Sequence, residues 1–170
     1  MGKKWLDIVY NEKSSVKLKQ HYKSWANDYD QDLIDWGYAY PSQLKKIMSQ
    51  DIKLKKSSKI LDAGCGTGLV AEVLGDMNFK NIVGLDYSLD MLKIAKDKKI
   101  YTRLIQESLN KKTSLRSNQF DVVLCTGVLT SGHVGAKAIN ELIRVTKNKG
   151  YLILSIAESI YEKLGFKDEI

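Results

Sequence analysis

An aspartate and three alternate glycines, Asp62-Ala63-Gly64-Cys65-Gly66-Thr67-Gly68, follow the apolar run Ile60-Leu61. A short strand ending in this pattern offers bare backbone to a ligand, because glycine turns with positive φ and has no side chain to hold the ligand off. Asp62 narrows the chemistry. A dinucleotide fold turns its loop N–H groups to a pyrophosphate, whereas a carboxylate at the mouth of the loop suits a ligand that carries a cation. Gly66-Thr67-Gly68-Leu69-Val70-Ala71 also satisfies the dinucleotide fingerprint Gly-x-Gly-x-x-Gly/Ala, so the loop alone leaves both ligands open. The next apolar run, Asn81-Ile82-Val83-Gly84-Leu85-Asp86, ends in an acid 18 positions after Gly68, where either kind of site holds ribose hydroxyls. One imidazole, His133 in a Ser-Gly-His turn, is either a general base or a side chain bonded to backbone.

The residues after Asp86 separate the two ligands. Asp86-Tyr87-Ser88-Leu89-Asp90-Met91-Leu92, taken with Asp62 to Gly68, resembles class I S-adenosylmethionine-dependent methyltransferases, whose loop reads Asp/Glu-x-Gly-x-Gly-x-Gly and whose second strand leads into Asp-x-Ser-x-x-Met-Leu. Gln119-Phe120-Asp121-Val122-Val123-Leu124 is similar to that family's fourth strand, and Glu141 to Gly150 to the helix and turn before its fifth. Tyr22-Lys23-Ser24-Trp25-Ala26-Asn27-Asp28-Tyr29-Asp30 looks like the Tyr-x-x-Trp-Ala-x-x-Tyr-Asp signature that precedes the core in many small-molecule methyltransferases. With Leu129-Thr130-Ser131-Gly132-His133-Val134 and Ile143-Arg144-Val145-Thr146-Lys147, the chain resembles the methyltransferase-like family named after the Williams-Beuren syndrome chromosome region. The likeness runs from about Tyr22 to Ile156.

That resemblance implies S-adenosylmethionine as cofactor, S-adenosylhomocysteine as its product, and residues to hold them. Tyr22, Trp25 and Tyr29 would close over the cofactor, and Asp62, Gly64, Cys65, Gly66 and Gly68 would form its loop. Asp86 would take the ribose diol, Met91 would lie near adenine, Ser108 and Leu109 would meet its edge, and Tyr87 would also touch the cofactor. Thr126 and Gly127 would face the sulfonium. Plainer readings stand beside these: Tyr22, Trp25 and Tyr29 as core aromatics of an amphipathic helix, Met91 as core at helical spacing from Ile94 and Ala95, and Thr126-Gly127 as an ordinary turn. Glu107 either serves as the acid the family carries after its third strand or faces solvent.

Methyl transfer needs no base of its own, since the sulfonium is already activated and in-line positioning supplies much of the rate. The Asn/Asp-Pro-Pro-aromatic tetrapeptide of many amino-group methyltransferases is replaced by Cys125-Thr126-Gly127-Val128, no Pro-Cys nucleophile is present, and no Asp/His cluster has metal-ligand spacing, so no metal is expected. A small molecule with an O, N or S nucleophile is the expected methyl acceptor.

Elements to position these residues follow from periodicity. Ser14 or Ser15 can cap a helix carrying Val16, Leu18, Tyr22 and Trp25. A polar break over 27–32 precedes a second helix with Pro41 in its first turn and Leu44, Ile47 and Met48 on one face. Strands are predicted over 58–63, 81–86, 101–106, 120–125 and 150–156, and helices over 68–77, 89–98 and 136–145. This alternation predicts an α/β fold with a parallel sheet covered by helices on both faces, and the resemblance implies that it is the Rossmann-like class I methyltransferase sheet, in the order 3-2-1-4-5. Residues 1–57 are expected to form a helical lid segment and 58–170 the cofactor-binding core, together one domain. The C-terminal antiparallel hairpin of a class I domain is expected to be missing, with one short helix over 158–164 in its place. Strand 151–156 would then lie at the sheet edge, covered either by the tail 158–170 folded back over it or by a second copy that pairs there to give a homodimer.

Composition bounds the rest. The net charge is +7, but the lysines are scattered among acids and arginine stands only at 103, 116 and 144, so a nucleic-acid partner is not expected. Two cysteines, Cys65 and Cys125, are too few for a disulfide framework. No apolar run can span a membrane and no leader precedes the fold, so the expected location is cytoplasmic, with no membrane partner. Three functions remain: an active methyltransferase, a shortened S-adenosylmethionine-binding protein that is inactive alone or works as a partner subunit, and an NAD-binding protein.

Overall fold

The computed structural model describes Trp5, Ile8, Val9, Glu12 and residues 14–50, 52–129 and 134–170. Its centre is a sheet of β1 (Ile60–Ala63), β2 (Ile82–Asp86), β3 (Arg103–Gln106), β4 (Phe120–Leu129) and β5 (Thr146–Ile156), in the order β3-β2-β1-β4-β5. All the pairings are parallel, and Ile60 of β1 stands opposite Ile82 on one side and Val122 on the other. This is the expected topology. Every residue of β1 and β2 is buried, which is why these strands read as apolar without alternation.

Helices cover both faces. On one, α3 (Tyr40–Gln50) and α4 (Leu69–Asp76) pack Leu44, Met48, Val70 and Leu74 against Ile60, Ile82, Val122 and Leu124. On the other, α6 (Ala138–Val145) sets Ile139, Leu142 and Val145 against Leu61, Val83, Ile105 and Val123. α5 (Leu89–Asp97) lies along β2 and β3, started by Ser88, whose hydroxyl oxygen accepts from the Met91 N–H at 3.5 Å. No helix among the described residues is long and apolar enough to cross a membrane.

The leading segment is more helical than its sequence predicts. α1 (Ser15–Trp25) begins where expected, with Ser14 as its cap. The polar stretch expected as a break instead opens α2 (Tyr29–Asp35). Asp30 and Asp32 lie in its first turn, where carboxylates suit the positive end of the helix dipole, and Leu33 supplies the buried contact. Trp25 Nε1 donates to Asp32 Oδ2 at 2.8 Å, fastening α2 to the end of α1.

The tail also differs. In place of one helix over 158–164 there are two short ones, α7 (Glu158–Tyr161) and α8 (Phe166–Glu169). Gly165 turns between them at φ +74, which swings Phe166 into complete burial beside Ile160 and the inner side of α6. β5 pairs with β4, and among the described residues no strand adjoins its outer side.

Candidate cofactor and active site

The C-terminal ends of β1, β2 and β4 meet at one cavity, the position where open parallel sheets bind ligands. Its loop is built by close approach. Gly64 has φ +80, and a Cβ there would stand 2.2 Å from Val128 Cγ2, so only glycine lets the loop pass β4. The loop then consumes its own donors. The N–H groups of Gly64 and Cys65 both go to the Leu85 carbonyl at 2.7 and 3.0 Å, Gly68 N–H goes to the Cys65 carbonyl at 2.9 Å, and Gly66 N–H goes to Asp86 Oδ2 at 2.9 Å. Those four N–H groups are therefore not free to cradle a pyrophosphate, which disfavours a dinucleotide and sets the carboxylates of Asp62 and Asp86 at the ligand's side.

Two such carboxylates are buried side by side in the wall. Asp86, whose Oδ1 also accepts the Ser88 N–H at 2.8 Å, has its pKa raised by burial against the pull of those backbone donors. Asp62 is pushed up to about 7, first by burial and then by the Asp86 charge, while the Tyr101 hydroxyl, donating to Asp62 Oδ2 at 2.7 Å, holds it down. Tyr101 reaches Asp62 because Gly84 lies between them: a Cβ there would be 2.9 Å from the Tyr101 ring and 2.7 Å from Leu104. A bound cation would repair the mutual repulsion of the two acids and draw both pKa values back down.

β4 does not run straight past the cavity. Cys125 pairs with Leu154 and Leu129 with Ile156, so the strand takes four steps where β5 takes two, and the surplus bulges at 126–128. Gly127 has φ +73, and its N–H donates to Ser155 Oγ at 2.7 Å. The neighbouring Thr126 hydroxyl is buried without a partner, as is the Tyr87 hydroxyl, and both residues belong to the cavity wall. Buried polar atoms left unpaired carry a free-energy cost that a ligand can remove. With paired acids for a cation and ribose and two waiting hydroxyls, the chemistry of the residues present fits S-adenosylmethionine.

α1 and α2 roof the cavity. Tyr22 and Tyr29 reach the wall, while Trp25 lies behind them, stacked at 6.2 Å on Tyr22 and edge-on at 4.6 Å to Tyr29, as a core residue of the roof. Asp30 accepts a short hydrogen bond from the hydroxyl of Thr67, itself 1% exposed in the glycine loop, and pairs with Lys98 at 2.6 Å.

Of the residues singled out from sequence, Tyr22, Tyr29, Asp62, Gly64, Cys65, Gly66, Asp86, Tyr87, Met91, Ser108, Leu109, Thr126 and Gly127 share this wall, and Trp25 and Gly68 stand outside it. Gly68 faces Tyr101 instead and starts α4. Glu107 is on the wall, but its carboxylate is taken by the N–H and hydroxyl of Ser114, which hold its pKa down. His133 lies outside the described residues. Sequence reasoning missed Tyr38, Ser88, Tyr101 and the role of Asp30. Tyr101 carries no motif, and only the pairing of β2 with β3 brings it under Asp62.

Comparison with known proteins agrees with this geometry. A family profile described as "Methyltransferase domain" matches residues 61–154. Methyltransferase-like protein 27 of Homo sapiens is 38% identical over 136 residues, covering 79% of this chain and 55% of that protein. The ubiquinone/menaquinone biosynthesis C-methyltransferase of Campylobacter jejuni is 30% identical over 128 residues, 72% of this chain and 53% of that one. The chain thus spans about half the length of the curated relatives it matches. Among solved structures, a candidate S-adenosyl-L-methionine-dependent methyltransferase of Methanococcus maripaludis superposes with a TM-score of 0.65 at 19% identity, covering 88% of this chain and 72% of that one. It shares the fold.

Proposed function

The chain belongs to the methyltransferase domain family, and on that premise we propose that its cavity binds S-adenosylmethionine and that the protein transfers the methyl group to an O, N or S nucleophile of a small-molecule acceptor. The observation that carries this reading is the pair of buried acids at the ends of β1 and β2, set beside a loop in which the N–H groups of Gly64, Cys65, Gly66 and Gly68 are already used. Asp86 offers its remaining lone pairs to a ribose diol. Tyr87, Met91, Ser108 and Leu109 line the space for the base, and Asp62 supplies charge to the amino-acid end. Thr126 and Gly127, on the bulge, border the methyl. The bound cofactor supplies an electrophilic methyl on a good leaving group, so the protein's contribution is alignment and exclusion of water.

Calorimetry with S-adenosylmethionine, S-adenosylhomocysteine and NAD tests the cofactor. Binding of the first two and not the third is expected, and NAD binding alone would overturn the reading. A labelled-methyl assay against a metabolite extract then tests turnover.

A second reading, an S-adenosylmethionine-binding protein that works with a partner subunit or as a homodimer, is favoured by the outer edge of β5. Tyr151 to Ile156 is half-exposed there and carries no charge or proline to block pairing. Light scattering separates monomer from assembly, and Ile153→Lys should dissolve an assembly built on that edge. Two buried free thiols, Cys65 and Cys125, support a reducing, cytoplasmic location.

A further inference from the structure

The cavity wall is chemically lopsided. The chain carries 27 Lys and Arg against 20 Asp and Glu, yet the described wall includes Asp62, Asp86 and Glu107 and no lysine or arginine. These acids cluster at the ends of β1, β2 and β3. α1 contributes Leu18 and Tyr22 to the wall, α2 contributes Tyr29 and Leu33, and the β4 bulge contributes Thr126, Gly127 and Val128; Tyr38 and Val134 complete this half, with the unpartnered Thr126 hydroxyl among them. Tyr38 crosses close over the bulge, since its hydroxyl oxygen lies 2.8 Å from where a Cβ on Gly127 would stand.

An anionic molecule entering this half would leave water for a surface with no lysine or arginine among its described residues and two buried acids nearby, which is strongly unfavourable. An apolar molecule loses nothing comparable and gains by covering leucine, valine and tyrosine side chains. A macromolecular chain is disfavoured by the roof, which Asp30 ties to the glycine loop through Thr67 and to α5 through Lys98. Among the described residues of this side, the buried side-chain oxygen with no hydrogen-bond partner is Thr126 Oγ1.

We propose that the methyl acceptor is an uncharged, largely apolar small molecule whose nucleophilic hydroxyl, amine or thiol is bonded by the Thr126 hydroxyl. The inference rests on the cavity being a methyl-donor site. In the transfer, a lone pair of the heteroatom forms the new bond to the methyl carbon, the carbon–sulfur bond breaks with its pair left on sulfur, and the heteroatom's proton leaves to water. Thr126 orients the nucleophile through a hydrogen bond and takes no proton itself.

A matched pair of fluorescent probes tests this at pH 7: 2-naphthol, which is neutral, and 6-hydroxy-2-naphthoate, the same framework with a carboxylate. S-adenosylhomocysteine binding is measured first by calorimetry. Its absence overturns the donor-site reading, and the probe pair, measured on the unliganded protein, still decides the preference of the wall. With S-adenosylhomocysteine bound, 2-naphthol is expected to bind at least tenfold tighter than the naphthoate. Val134→Lys, at the half-exposed side of the wall, should narrow or reverse that ratio. Thr126→Val keeps the side-chain shape, and should weaken 2-naphthol several-fold more than it weakens S-adenosylhomocysteine or unsubstituted naphthalene. Equal or preferred binding of the naphthoate, or binding of neither probe below millimolar concentration, overturns the acceptor class. Equal effects of Thr126→Val on naphthol and naphthalene overturn the role of the hydroxyl.

Discussion

Asp30 and Thr67, 37 residues apart, share a short hydrogen bond that joins the roof to the floor of the cavity. The other oxygen of Asp30 meets Lys98 at 2.6 Å, and Lys98 also holds Glu72 of α4 at 3.0 Å. One carboxylate thus ties α2 at once to the glycine loop and to the end of α5. Because Lys98 is only 15% exposed and Thr67 is buried, these bonds are worth more than surface pairs.

Asp30→Ala should therefore loosen the roof and spare the sheet. Amides of α1 and α2 should exchange faster in the variant, those of β1 and β4 should not, and S-adenosylhomocysteine affinity should fall about tenfold, or ~1.4 kcal/mol. In the unmutated protein the same cofactor product should slow exchange across α1 and α2. Hydrogen exchange with mass spectrometry reads both, and a roof whose exchange ignores the mutation would remove Asp30 as its fastening.

Asp86→Ala should weaken cofactor binding far more than it weakens folding. If Asp86 holds the ribose as proposed, the variant lacks charge-assisted bonds worth about 1.5–3 kcal/mol, which is roughly 10- to 150-fold in affinity. Some stability goes too, since Gly66 and Ser88 lose their partner at 2.9 and 2.8 Å. Calorimetric titration of a variant that still melts cooperatively is the check; an unchanged affinity would unseat Asp86.

Asp62 makes both stability and binding depend on pH. Its folded pKa of about 7 lies above the ordinary 3.8, so the folded state holds this proton more tightly than the unfolded chain. Stability is then highest at low pH with respect to this group, and declines as pH rises from about 4 through 7. Asp62→Asn should be the more stable protein at pH 8 and lose that advantage at pH 5. Cofactor affinity should move oppositely, strengthening as pH passes 7 and the carboxylate becomes available to the cation, by more in the unmutated protein than in Asp62→Asn. Melting temperature and calorimetry across pH 5–8 decide the matter, and identical profiles for the two proteins would mean that Asp62 is ionised throughout.

Gly84→Ala should reproduce part of that signature without replacing a titrating residue. The new methyl collides with Leu104 and Tyr101 and meets Cys65 Sγ at 3.0 Å, so the phenol is driven off Asp62 at a cost of about 1–3 kcal/mol. The pH at which cofactor affinity rises should shift upward, as in Tyr101→Phe. A variant with unchanged midpoint would show that Tyr101 does not govern Asp62.

What could be read from sequence and what could not divide along a physical line. β1 and β2 were legible because strands covered on both faces must be apolar throughout, and Asp86 because an acid ending such a strand has few structural uses. α2 was not, since Asp28, Asp30 and Asp32 look like a break until the helix dipole and the Trp25 bond to Asp32 are known. Trp25 and Tyr29 share a signature, yet only Tyr29 reaches the wall, because sequence spacing does not say which aromatic of a stack lies outermost. The extension of β4 to Leu129 was hidden for a similar reason: a bulge is a relation between two strands and leaves no period in either.

The aromatic stack of the roof has an optical consequence. The chain has three tryptophans, and all belong to this one cluster: Trp5 lies parallel to Trp25 at 5.9 Å, and Trp36 sits 5.6 Å from it, tilted by 34°. The sheet and its covering helices contribute none. Emission excited at wavelengths only indole absorbs therefore reports on the roof alone, with coupled chromophores whose circular dichroism depends on their mutual angle. Tyrosine, present in both parts, reports on the whole. The protein thus carries its own two-colour gauge, able to tell lid rearrangement from global unfolding in a single cuvette without any attached label.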